Sequence, residues 1–88
     1  MTKVEIYTTT YCPYCIRAKN LLKEKNVEFV EYKVDADGDL FEIMIQRSKR
    51  TSVPQIFVGD FHVGGCDDMF IMDMNDELDT LLFPEAKE

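Results

Sequence analysis

Apolar and polar positions alternate over residues 3–7, with Val4 and Ile6 on one face of an extended chain, which predicts a first strand. From Pro13 to Lys25 the period lengthens. Cys15, Ala18, Leu21 and Leu22 share one helical face, while Arg17, Lys19, Lys23 and Glu24 lie mostly elsewhere. Pro13 suits the first helical position, where its missing N–H has no intrahelical partner in any case. Asn26 can close this helix, and Lys23 and Lys25 favour its negative end. Alternation returns over residues 29–34, so residues 3–34 read as a βαβ unit with parallel strands and a right-handed crossover. Asp39 followed by Glu42 resembles a capping box, and Leu40, Ile43 and Met44 form an apolar stripe reaching about Arg47, predicting a second helix. Gln55-Ile56-Phe57-Val58, the turn Gly59-Asp60 and Phe61-His62-Val63 predict a tight antiparallel hairpin that Gly64-Gly65 ends. From Asp67 onward Phe70, Met74, Leu78, Leu81 and Leu82 recur at helical intervals, with Asn75-Asp76 able to split the segment in two. Met69 and Met72 read as core filler.

The order βαβαββα implies an α/β fold: a four-stranded mixed sheet flanked by helices, because neither face of a parallel pair tolerates exposure. Residues 1–88 form a single domain at this length, with no repeat, linker or low-complexity segment. Six Phe and four Tyr against four Gly and three Pro belong to a folded globule. No apolar stretch approaches the roughly 20 residues of a membrane helix, and Met1-Thr2-Lys3-Val4-Glu5 lacks the apolar run of a signal peptide. The expectation is a cytoplasmic monomer without a membrane partner. A net charge of -7 argues against a nucleic acid held through its phosphates. The charge is unevenly spread: bases gather at Arg17, Lys19, Lys23 and Lys25 and at Arg47, Lys49 and Arg50, while residues 60–88 carry nine acids and only Lys87 as a base.

Three cysteines, Cys12, Cys15 and Cys66, are too few and too odd in number for a disulfide scaffold. With Pro13 first in the helix, Cys12 becomes its N-cap, the sulfur aimed at the free N–H groups of Tyr14 and Cys15 and at the positive end of the dipole. Such a setting lowers a cysteine pKa from about 8.5 to about 3.5–7.5, so Cys12 is read as the attacking thiolate. Cys15, one turn in and on the buried face, can resolve a mixed disulfide on Cys12. Two other readings stand beside this one: a zinc site from Cys12, Cys15, Cys66 and His62, and two inert packed thiols. His62, on the hairpin, reads as an exposed or satisfied strand histidine, since exchange at a stabilised thiolate needs no general base.

Cys12-Pro13-Tyr14-Cys15, Thr51-Ser52-Val53-Pro54-Gln55-Ile56-Phe57 and Gly64-Gly65-Cys66-Asp67-Asp68, following Ile6-Tyr7-Thr8, together resemble the dithiol glutaredoxins of the thioredoxin-fold group over nearly the whole chain. Thioredoxins proper carry Trp and a Gly-Pro pair between the cysteines, and this chain has no Trp. The resemblance implies a thioredoxin-like fold and a glutathione site. In it a cis Val53-Pro54 bond turns the Val53 backbone toward a bound peptide, where glutathione's cysteinyl portion pairs like an added strand. Gly64-Gly65 lets the backbone come close, the N–H groups of Cys66 and Asp67 receive the γ-glutamyl carboxylate, and the Asp67 carboxylate holds the γ-glutamyl amine. Asp67 can also serve as a plain helix N-cap. Tyr14, Ser52, Val53, Pro54, Gly65, Cys66 and Asp67 are the expected glutathione contacts, and the Cys66 thiol is not expected to react. The sequence departs from the family at Thr9, where Lys is common, at Phe41, where Gln or Arg meets the glycyl carboxylate, at Ser52, where Thr is usual, and at Lys49, where Gly is usual. Lys49 or Arg50 are candidates for that missing charge.

The expected function is a glutathione-dependent thiol–disulfide oxidoreductase with no bound cofactor or metal and glutathione as co-substrate. Its expected partners are disulfide-containing or glutathionylated proteins, ribonucleotide reductase among them by family expectation. The alternatives are a thioredoxin-like redoxin recharged by a flavoprotein reductase and a metal or iron–sulfur binding module using Cys12.

Overall fold

The computed structural model describes residues 3–83. Its elements follow in the order β1 (Val4–Thr8), α1 (Pro13–Glu24), β2 (Val30–Lys33), α2 (Gly38–Ser48), β3 (Gln55–Val58), β4 (Phe61–Gly64), α3 (Cys66–Met74) and α4 (Glu77–Leu82). The strands form one mixed sheet in the order β2-β1-β3-β4, with β1 parallel to β2 and antiparallel to β3, and β3 antiparallel to β4.

Alternation along the strands divides the core into two. Val4, Ile6, Ile56, Val58 and Val63 turn toward α1, α3 and α4 and pack with Ala18, Leu22, Met69 and Leu78. Tyr7 and Phe57 point to the opposite face, where Met44 of α2, Val34 and partly buried Tyr32, Leu40, Phe41 and Val53 cover them. Between Ile56 and Phe57 the β3–β4 register shifts, pairing Ile56 with Gly64 and Phe57 with His62, so Val63 is the extra residue of a bulge. This keeps Val63 in the larger core while His62 stands beside Phe57.

Several local expectations are corrected. The cap of α2 is Asp37, whose carboxylate accepts the Asp39 N–H at 2.9 Å, so Asp39 belongs to the first turn and the expected Asp39/Glu42 capping box does not form. Ile43 and Met74 are exposed, not core, because the buried faces of their helices run through Met44 and Ser48 and through Cys66 and Met69. The last segment does break at Asn75-Asp76, where Asp76 adopts a left-handed φ of 62°. Lys49 takes the same conformation (φ 62°) just past α2, which accounts for glycine being usual there. Lys87 lies outside the described residues.

Candidate active site

The reactive pair stands where β1 hands over to α1. Cys12 is the N-cap of α1 in an extended conformation, Pro13 opens the helix, and the Cys15 N–H donates to Cys12 Sγ at 3.1 Å. The two sulfurs are placed as a disulfide pair, with Cα atoms 5.1 Å apart. Both cysteines are buried, Cys15 fully and Cys12 to 8% exposure, with Cys12 beside Tyr11, which is 95% exposed. Once the pair is reduced, the same N–H and the helix dipole favour the thiolate of Cys12 over its thiol. The loop approaching Cys12 is tied down from the turn after β2: the Thr10 N–H donates to Asp35 Oδ2 at 2.9 Å, which holds the Asp35 carboxyl below its ordinary range.

Next to this pair lies a cleft of about 210 Å³. Tyr14 forms one wall from the first turn of α1, Ser52, Val53 and Pro54 form the floor, and Gly65, Cys66 and Asp67 close the far side at the start of α3. All seven residues expected to meet glutathione therefore converge on one cavity, although they come from three separate stretches of chain. Cys12 and Cys15 are not among its lining residues. They adjoin it through Tyr14. The Val53-Pro54 peptide is cis, as the resemblance implied. A Cβ on Gly65 would sit 3.4 Å from the Pro54 carbonyl oxygen, so the absence of a side chain there lets α3 approach the floor. At Gly64, with φ of 115°, a Cβ would overlap the Asp68 side chain.

Three further lining residues escaped the sequence reading as site residues or were left open by it: Arg50, Gln55 and Asp68. Asp68 provides the helix cap that had been considered for Asp67. Its Oδ2 accepts the Gly65 N–H at 2.9 Å and the Arg50 Nη1–H at 3.1 Å, and these two donors, the backbone one first, hold its carboxyl below the usual carboxylate range. Asp67 is left with its side chain free of the cap. The spacing from Gly65 to Asp68 is that of a capping box and was the available signal. Of the two cations considered for the cleft, Arg50 lines it and Lys49 does not. Gln55 is a polar residue in a strand buried on both faces, a signal readable from Gln55-Ile56-Phe57-Val58 itself.

Cys66 is free and buried, and burial pushes its thiol up, against the pull of the Arg17 charge. It stays a thiol at neutral pH. Arg17, read from sequence as part of a solvated face, packs its guanidinium 5.9 Å from the Tyr14 ring and 5.6 Å from the Phe70 ring, linking α1 to α3 beside the cleft. His62 is a satisfied strand histidine, its Nε2 2.7 Å from Gln55 Oε1 and its ring stacked on Phe57 at 4.7 Å.

A helix-capping cysteine paired with a second one turn in, on a mixed sheet of this topology, defines a thiol–disulfide oxidoreductase of the thioredoxin fold. The glutaredoxin family model matches residues 4–63. Glutaredoxin 3 of Escherichia coli (strain K12) is 52% identical over 82 residues, covering 93% of this chain and 99% of its own. The solution structure of glutaredoxin from Brucella melitensis superposes with a TM-score of 0.82 at 49% identity, over 93% of this chain and 89% of that one. The crystal structure of a buckwheat glutaredoxin–glutathione complex gives 0.85 at 28% identity, over 94% and 78%. The chain belongs to the glutaredoxin family.

Proposed function

We propose that this protein uses glutathione as its reductant and reduces both glutathione mixed disulfides and protein disulfides, holding no cofactor of its own. The observation that carries this reading is the cleft beside the N-cap cysteine, whose walls gather the Tyr14, Ser52–Pro54 and Gly65–Asp67 segments. A relative of the same fold was solved as a glutathione complex, which supports transferring that ligand here. The cysteinyl backbone of glutathione pairs with Val53, its γ-glutamyl carboxylate meets the N–H groups opening α3, and Asp67 takes the γ-glutamyl amine. Arg50 brings positive charge to the cleft wall.

In the one-cysteine route, the Cys12 thiolate attacks the glutathione sulfur of a mixed disulfide. A Cys12–glutathione disulfide forms and the protein leaves as its thiolate. A second glutathione thiolate then attacks the bound glutathione sulfur, frees Cys12 and departs as glutathione disulfide. In the two-cysteine route, Cys12 attacks a protein disulfide and Cys15 attacks Cys12 Sγ. The reduced protein leaves, the Cys12–Cys15 disulfide remains, and two glutathione molecules restore the dithiol. Exposed Tyr11, Tyr14 and Ile16 give the rim an apolar surface for disulfide-bearing or glutathionylated proteins. The test is turnover of a glutathione mixed disulfide coupled to glutathione reductase, run beside an assay with thioredoxin reductase. Turnover with glutathione is expected; reduction supported only by thioredoxin reductase would overturn the reading.

A further inference from the structure

A chain of polar groups runs from exposed Ser52 through buried Gln55 to half-buried His62. Gln55 is 1% exposed, and its amide Nε2 donates to the Ser52 carbonyl oxygen at 3.0 Å and approaches Ser52 Oγ at 3.3 Å. A carbonyl can only accept, so the amide nitrogen must face Ser52 and the amide oxygen must face the other way. That oxygen lies 2.7 Å from His62 Nε2, which must therefore carry a proton. The bulge at Ile56/Phe57 sets His62 opposite Phe57, diagonal to Gln55 on the same sheet face. Stacking on Phe57 at 4.7 Å fixes the ring plane.

We infer that His62, a residue outside the cleft, is a positioning residue for glutathione: through Gln55 it fixes the Ser52–Val53 peptide plane and so aims the Val53 N–H. The peptide is planar, so a donor on the Ser52 carbonyl also sets the direction of the N–H on the far side of the same bond. Val53 is the backbone to which the proposed function assigns the cysteinyl portion of glutathione, and the inference rests on that reading for its consequence in catalysis. Without the His62 proton, Gln55 Oε1 is a buried acceptor with no partner, and the amide no longer has one preferred orientation. Burial, and then the charge of Arg50, keeps the His62 ring toward its neutral form, in which the Nε2–H tautomer is required. Protonation adds a second N–H at Nδ1 and leaves this donor in place.

The experiment compares His62→Phe, which retains a ring on Phe57 and removes the donor, with Gln55→Leu and the double variant. His62→Phe is expected to raise KM for the glutathione mixed disulfide about 3- to 10-fold, the effect of one neutral hydrogen bond, with kcat within about twofold of the parent. The double variant is expected to match Gln55→Leu alone, because His62 acts only through Gln55. An unchanged KM in His62→Phe, or a double variant showing the product of the two single effects, would overturn the inference. Nitrogen-15 NMR of the unaltered protein supplies a readout independent of folding in the variants: a slowly exchanging Nε2 proton is expected at neutral pH, and an Nδ1–H tautomer would end the argument. If the parent failed to turn over the glutathione substrate, the proposed function would fall while the tautomer still decided the chain of bonds.

Discussion

Cys12 and Cys15 differ by one helical turn and by what surrounds their sulfurs. The first caps the helix and receives a backbone N–H; the second is buried against the core behind it. Cys12→Ser should reduce every disulfide-exchange activity to the uncatalysed background, because both thiols that remain, Cys15 and Cys66, are buried, and burial also pushes the Cys66 thiol up. Substantial turnover in that variant would move the nucleophile elsewhere. Cys15→Ser separates the two routes. Removal of glutathione from a protein thiol needs only Cys12 and should stay within a few-fold of the parent. Reduction of an intramolecular protein disulfide needs a resolving thiol and should fall by an order of magnitude or more. Equal loss of both activities in a folded variant would make Cys15 obligatory in each cycle and would count against glutathione as the direct reductant. Asp67 is free of the cap that Asp68 supplies, so Asp67→Ala should raise KM for glutathione by several-fold with little change in thermal stability. A change in stability alone would leave it a structural residue.

Elements were legible where a local pattern decides them and illegible where a tertiary contact does. Alternation over residues 3–7 marked the first strand, the Gly59-Asp60 turn between two short apolar runs marked the hairpin, and the Pro13-led apolar face marked α1, because each of these is a local signal. Asp37 and Asp39 are both competent caps two residues apart, and the sequence held nothing to separate them; in the folded chain Asp37 receives the N–H. Ile43 and Met74 fit an apolar stripe but face solvent, since their visibility as core depends on which neighbours arrive. The cleft was legible through its motifs, while Arg50 and Asp68, 18 positions apart, meet across it through a contact that neither local pattern encodes. Lys25 is similar. The sequence marks it as a helix-end charge, and in the folded chain it joins α1 to α3 and α4 through Asp73 at 2.8 Å and Asp79 at 2.7 Å. These two acids raise its pKa above the ordinary 10.5, so its stabilisation is complete below that value and is lost as pH rises through the higher folded value. Lys25→Met should therefore destabilise the protein at neutral pH by roughly 1 kcal/mol or less, the range for partly exposed pairs. The gap between parent and variant should close above pH 10.5. Denaturant titrations at several pH values would show it, and a constant gap across that range would assign the effect to packing of the stem.

At the scale of the molecule, the site hangs from the two interior strands. The Cys12 loop leaves the end of β1, and the Ser52–Pro54 floor enters β3, which lies beside β1 and antiparallel to it. Each of these strands faces both cores: β1 through Ile6 and Tyr7, β3 through Ile56 and Phe57. Opening either strand therefore requires both clusters to separate. By contrast, β2 and β4 are edges, and α4 is a six-residue helix anchored mainly by Leu78, Leu82 and the Lys25 pair. Native-state hydrogen exchange should then place the slowest amides in β1 and β3, at the free energy of global unfolding, and let α4 exchange through local opening well below it. Ile56→Ala removes side-chain volume from the larger core and should cost about 2–5 kcal/mol. That loss should appear undiminished in the slow amides of β1 and β3, while the local opening of α4 should be little changed. Slow amides in α4 outlasting those of β1 would show that the C-terminal helix belongs to the last unit to open. A loss confined to β3 would show that the two strands open separately, and the two halves of the site would then not share one rigid support.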